Sequence, residues 1–191
     1  YQDKDVSYKL IGEILEIAVN APSAENLQNW RFIVVKDKDK RSEIAETSLK
    51  QHWMNKAPVF IVVCYDENKI KMFYPEKFKE FSIQNTAIIS SYIMLKATDL
   101  GLGSCWVAVF DSEKISSILK LPLNIIPVNI ITLGYYEGKG KIKKRDKPNL
   151  VTYFEEYGKK KIDASFFPIE KQFVKLKDRV TNEIKKIKKK K

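Results

Sequence analysis

An α+β domain with a central, mostly antiparallel sheet flanked by helices is what three features of this 191-residue sequence predict. Short β-branched runs at 32–35, 59–65 and 129–135 have strand length and strand composition. The stretch 82–100 lacks Gly and Pro and is apolar over a wide arc, which predicts a central, largely buried helix. Helical and strand patterns alternate only loosely along the chain, which favours α+β over a doubly wound parallel sheet.

Each element has a local reason. Leu10, Ile11, Ile14, Leu15, Ile17 and Ala18 recur at helical spacing, and Ser7 stands where a cap for that helix belongs. A strand is expected at 31–36, then a charged helix at 39–49 with Ile44 and Leu49 turned inward. Pro58 opens a second strand, 59–65. Residues 66–80 are mixed and broken by Pro75; Met72, Phe73, Tyr74 and Phe78 make this segment a candidate cover for a small-molecule pocket. Gly101 ends the long helix, as glycine after a helix commonly does. A short strand is expected at 105–110, and Asp111 and Ser112 can cap a helix at 113–120. A strand at 129–135 leads to a basic loop, 138–148, and a short aromatic stretch, 150–157. In the final segment, 169–187, Phe173, Val174, Leu176, Val180, Ile184 and Ile187 have near-helical spacing.

Composition excludes several classes. Hydrophobic content of 44% with 12% aromatics excludes disorder for most of the chain. No apolar run approaches the ~20 residues that a membrane-spanning helix needs, and the first residues lack a secretory signal pattern. Cys64 and Cys105 are far apart and outside any C-x-x-C, so neither a disulfide framework nor a zinc site is expected, and a cytoplasmic location is. The net charge of +11 is concentrated at one end. Residues 158–191 hold 13 Lys/Arg against 4 acidic residues, whereas 1–157 hold 22 against 20. The main domain is thus nearly neutral, and nucleic acid is not an expected partner. Lysine runs such as the terminal one are most often solvated. His52 is the only histidine, so any Ser-His, Cys-His or multi-His scheme would depend on it; with no carboxylate at ligand spacing, it reads as a surface or packing residue. The carboxylate pairs Asp37/Asp39, Asp66/Glu67 and Glu155/Glu156 read as solvated faces. No catalytic residue is assigned.

Three stretches carry the functional signal. The first is 21–35, APSAENLQNWRFIVV. Its turn lies between a helix and a strand, where rigid elements can hold binding groups. Pro22 fixes a backbone dihedral, and Ser23, Asn26 and Gln28 offer donors and acceptors in a short span, a set that suits a flat, amide-rich ligand edge such as a flavin pyrimidine. The second is 101–111, GLGSCWVAVFD. Two glycines around Leu102 allow a sharp turn and a close backbone approach to a ligand. A dinucleotide fingerprint is rejected here, because a helix precedes, a strand follows and the third glycine is missing. The third combines Leu133-Gly-Tyr-Tyr with Lys143-Lys-Arg145 and 150–153, a basic loop able to clamp a phosphate.

In this order and at these gaps, the three stretches resemble the nitroreductase family of flavin enzymes over roughly residues 1–157. The family patterns are A-P-S-x-x-N-x-Q-P-W-x-F-x-V-V, G-L-G-[ST]-C-W-[IV]-G-G-F-[DE], and L-G-Y-P with K-x-R. The resemblance implies an FMN-dependent oxidoreductase in which hydride passes from NADH or NADPH through flavin N5 to an electron-poor acceptor such as a nitroaromatic or quinone. It implies cofactor binding by Pro22, Ser23, Ala24, Asn26, Gln28, Ala108, Val109, Lys143 and Arg145. It also implies a homodimer with FMN at the subunit interface, the 22–28 loop coming from one subunit and the phosphate clamp largely from the other.

This chain departs from the family at several points. Asn29 replaces a Pro, and Ala108-Val109 replace a Gly pair. Asn85 and Tyr92 stand where Asp and Asn are frequent. The family's Arg/Ser phosphate-binding motif would precede Tyr1, so the given chain is expected to start just after it. These departures motivate an alternative, a non-catalytic flavin- or nucleotide-binding dimer of the same fold. A module binding polyanions through its tail is a third reading. The organisation expected is a flavin-binding domain, 1–157, and a basic extension, 158–191. Within the extension, residues from about 162 to 184 are expected to pack on the dimer.

Overall fold

The computed structural model describes residues 1–138 and 144–160. The chain divides into two compact units, 1–138 and 139–191. In the first, strands β1 (Trp30–Val35), β2 (Val59–Asp66), β3 (Gly103–Val107) and β4 (Ile125–Gly134) form one sheet in the order β1-β2-β4-β3. All three pairings are antiparallel, as expected. The helices are α1 (Tyr8–Ala18), α2 (Lys38–Thr47), α3 (Glu67–Lys71), α4 (Phe78–Asp99) and α5 (Ser112–Leu119).

The sheet is covered on both faces, and the period of two along β2 decides which residues go where. Val59, Ile61 and Val63 share a cluster with Ile11 and Ile14 of α1 and Ile89 and Ile93 of α4. Phe60, Val62 and Cys64 share the opposite cluster with Ile44 and Ala45 of α2 and Ile115 of α5. Every residue of β2 before Asp66 is therefore buried, which explains its unbroken apolar sequence. The Arg41 guanidinium closes the second layer by donating to the carbonyls of Lys36, Asn55 and Ala57.

Local signals act as their chemistry predicts. Ser7 Oγ accepts from the Leu10 amide at 3.2 Å, and Asp111 Oδ1 from the Lys114 amide at 3.0 Å, capping α1 and α5. Gly101, at φ 74°, lets Leu102 N–H return to Ala97 O and its own N–H to Thr98 O, a Schellman closure of α4. Several boundaries differ from expectation, and Leu49, expected to turn inward, lies past the end of α2 and is exposed. Helix α4 begins at Phe78, a turn early. Strand β3 ends at Val107 instead of 110, and β4 begins at Ile125, ahead of a register shift opposite Val63/Cys64. The shift places Pro127 where a missing N–H is tolerated.

The second unit is described for 144–160. Its short helix α6 (Pro148–Val151) is held by Lys160 Nζ, which donates to Asn149 O at 2.8 Å and Leu150 O at 2.7 Å and lies over the Tyr153 ring. Lys143, the helix expected at 169–187 and the packing expected of 162–184 lie outside the described residues.

Burial pushes the Cys64 thiol up to about 12. An unfolded thiol ionises near ~8.5, so Cys64 contributes stability that is fully present below that pH and lost as pH rises towards its folded value. Denaturant titrations should show stability falling above about pH 8.5. Cys64→Val should flatten that decline between pH 8.5 and ~10, before tyrosines join it.

Candidate functional site

The segment joining α1 to β1 holds the first group of expected site residues. The turn after α1 closes through Asn20 N–H to Ile17 O and Ala21 N–H to Ala18 O. Pro22 follows on the surface, and residues 24–26 form one tight helical turn. Glu25, Asn26 and Gln28 all adopt left-handed backbone conformations, at φ 46°, 55° and 47°. Three such residues without a glycine among them store local strain that the surroundings must hold.

The restraints are visible. Ser23 Oγ accepts from the Gln28 amide at 3.0 Å, closing the loop across its mouth. Gln28 Nε2 donates to Asn26 O at 3.1 Å and Asn26 Oδ1 at 2.9 Å. Ala24 N–H donates to Asn85 Oδ1 of α4 at 2.9 Å, and Lys69 Nζ of α3 reaches Gln28 O at 3.2 Å. Beneath the loop, fully buried Asn29 donates from Nδ2 to Ser82 Oγ at 2.8 Å and to Asp66 O at 3.4 Å, and its Oδ1 accepts from Asn85 Nδ2 at 2.9 Å. Asn29 and Asn85, two separate departures from the family pattern in sequence, are one another's partners. Both being amides was the signal that could have joined them.

The cover expected at 66–80 is tied to the same loop. Besides Lys69, Tyr74 bonds to Glu25, and burial followed by the Glu25 charge raises its hydroxyl above the ordinary tyrosine value. Tyr74 also meets Phe81 edge to face at 5.1 Å, while Met72 and Phe73 are exposed.

Ala108 and Val109 lie elsewhere. They follow β3 at one edge of the sheet, whereas the 22–28 loop precedes β1 at the other. Three strand spacings put those edges about 14 Å apart, so one sheet edge does not assemble both groups. Both residues are exposed. The glycines before them have duties within the chain: Gly101 closes α4, and a Cβ on Gly103 would meet Tyr136 Cδ1 at 3.1 Å. Close approach at Gly103 is thus to Tyr136. Arg145, in the second unit, is exposed next to Lys144.

The donor set fits a flavin. Pairing within the loop leaves Asn26 Nδ2 as a donor and Gln28 Oε1 as an acceptor, the alternation that a pyrimidine edge presents in complement. Among the described residues no cluster of His, Cys, Asp or Glu could hold a metal. His52 is exposed and lies 3.6 Å from Glu46, a carboxylate six positions earlier that spacing had not suggested; the pair is a surface contact. No described helix is long and apolar enough to cross a membrane.

The fold is thus of the α+β class, with helices on both faces of a four-stranded antiparallel sheet and an amide-bearing loop between α1 and β1. The sequence profile of the Nitroreductase family matches residues 1–53 and 46–135, and the chain belongs to that family. It is 36% identical over 139 residues to a Methanothermobacter thermautotrophicus protein named for NADH dehydrogenase and NAD(P)H nitroreductase activity, covering 71% of this chain and 70% of that one. It is 26% identical over 172 residues to the Bacillus subtilis FMN reductase [NAD(P)H], covering 82% and 69%. A solved FMN-dependent nitroreductase from Clostridium difficile superposes with a TM-score of 0.70 at 30% identity, covering 82% of this chain and 92% of its own.

Ser23→Ala removes the acceptor that closes the loop. Hydrogen exchange at the Gln28 amide should accelerate while α1 stays protected, and denaturation should show a loss of about 1 kcal/mol.

Proposed function

We propose that this protein is an FMN-dependent oxidoreductase that takes hydride from NADH or NADPH and passes it to an electron-poor small molecule, such as a nitroaromatic or quinone. Membership of the nitroreductase family and relatives named for NAD(P)H nitroreductase and FMN reductase activity support the catalytic reading over a non-catalytic flavin binder. The observation that carries it is the restrained 22–28 loop, whose free donor and acceptor match a flavin edge.

When bound, FMN supplies the hydride and electron transfer, which explains why the chain needs no acid–base pair of its own. Asn26 and Gln28 orient the pyrimidine edge, with Pro22, Ser23 and Ala24 setting the loop backbone. The main chain at Ala108 and Val109 would hold the ring, with side chains that leave less room than a glycine pair. Lys143 and Arg145 would neutralise the phosphate, with 1–157 as the flavin-binding domain and 158–191 as its extension. The 66–80 segment, through Tyr74 and Lys69, limits water and acceptor access.

The working unit is a homodimer with flavin at its interface. Two observations favour this. The loop and the Ala108-Val109 pair sit at opposite sheet edges, so a second subunit can complete each site. Helix α4 carries apolar residues all round, and within one chain Ile83, Tyr92 and Leu95 remain exposed, Leu95 at 70%. The apolar surface that this largely buried helix leaves exposed in the single chain is what a partner would cover.

Purified full-length protein should be yellow, bleach anaerobically with NADH or NADPH, recover colour on adding a nitroaromatic, and sediment as a dimer. Colourless protein that cannot be reconstituted with FMN would overturn the proposal.

A further inference from the structure

We propose that Asn29 and Asn85 are a coupled pair of positioning residues, forming a one-way chain of hydrogen bonds that sets the strained loop against α4. This rests on reading 22–28 as the flavin-binding loop.

Both ends of the chain have fixed polarity. Ala24 N–H can only donate, and Asp66 O can only accept. Asn85 must therefore turn its Oδ1 to Ala24, which leaves Nδ2 for Asn29. Asn29 must turn its Nδ2 to Asp66 O and Ser82 Oγ, which leaves Oδ1 to receive Asn85. Each amide is used at both ends, and each is assigned by its neighbours. Asn29, Ser82 and Asn85 are at most 1% exposed, so water cannot replace a lost partner. The three come from the residue before β1 and from two positions three residues apart on α4, and Ala24 is the point at which the loop joins them. Glu25 and Asn26, in left-handed conformations, follow Ala24 directly, so an error there is passed to the ligand-facing amides.

All partners in the chain are neutral, and position 85 has to donate to Asn29 while accepting from Ala24. A carboxylate cannot do both, since it would set oxygen against Asn29 Oδ1; a protonated carboxyl can. The charged groups nearest the chain are occupied elsewhere. Asp66 carboxylate is held by Arg31 at 2.8 Å and Asn124 at 3.0 Å, Glu25 pairs with Tyr74, and Lys69 lies on Gln28 O. None of them offers a buried carboxylate at 85 a counter-charge, and the neutral form is favoured there.

The test is FMN titration of the full-length chain, wild type beside Asn85→Asp and Asn85→Ala, from pH 5 to 9, each variant expressed as a ratio to wild type so that the ligand's own ionisation cancels. Asn85→Asp should bind within about twofold of wild type at the acid end and weaken at least about tenfold as pH rises, while Asn85→Ala is weakened at every pH. An Asn85→Asp ratio that stays flat with pH would overturn the proposal, because loss of packing alone has no such profile. If neither variant folds, amide exchange of the wild-type chain decides: Ala24 should be protected well beyond Glu25, and equal rates would overturn the pair. Wild type that binds no FMN at any pH would sink the flavin reading separately, and Ala24 exchange would still judge the pair.

Discussion

Strand β2 can be satisfied only if both of its faces are covered at once. Its side chains alternate between two apolar clusters, so α1 and α4 must close one side while α2 and α5 close the other. That requirement orders the sheet with β2 inside and fixes where the connections emerge. The link from α1 to β1 is then short and anchored at both ends, because α1 packs in the same layer as α4 and β1 pairs with β2. A loop so constrained can hold three left-handed residues without glycine. The core thus maintains a geometry that the loop would not adopt alone.

The chemistry follows from what the core leaves out. The described residues carry no buried acid–base pair and no metal cluster, and the lone histidine is solvated. What they do provide is oriented amides, backbone groups and surface cations. Such a set binds and aligns a reactive cofactor and leaves electron transfer to it. The protein's contribution on this reading is positional, and hydrogen bonds reach from α4 into the loop.

Much of this was legible in the sequence, for identifiable reasons. The unbroken apolar run of β2, the caps Ser7 and Asp111, and Gly101 are local signals with local consequences, and each stands where expected. Element ends were less legible. Helix α4 gains its first turn from Phe78 to Phe81, where aromatic contacts with the preceding segment outweigh weak helical patterning. The geometry of the candidate loop was half readable: Ser23 and Gln28 lie close in sequence and bond as their types suggest. The pairing of Asn29 with Asn85 spans 56 positions, and no periodicity links them. Nor could spacing show that Gly103 is reserved for Tyr136, since that contact depends on how the chain returns after β4.

The mutual dependence proposed for Asn29 and Asn85 also means that neither side chain can be exchanged alone without cost. With Pro at position 29 or Asp at position 85, either replacement alone leaves a poor arrangement. Asn85 opposite Pro would leave a buried N–H with nothing to receive it, and Asn29 opposite an ionised Asp would face oxygen with oxygen. The second arrangement is eased where the carboxyl is protonated, and the first where the loop is slack enough to admit water. The pair is therefore a coupled unit, in which the effect of either substitution depends on the residue opposite.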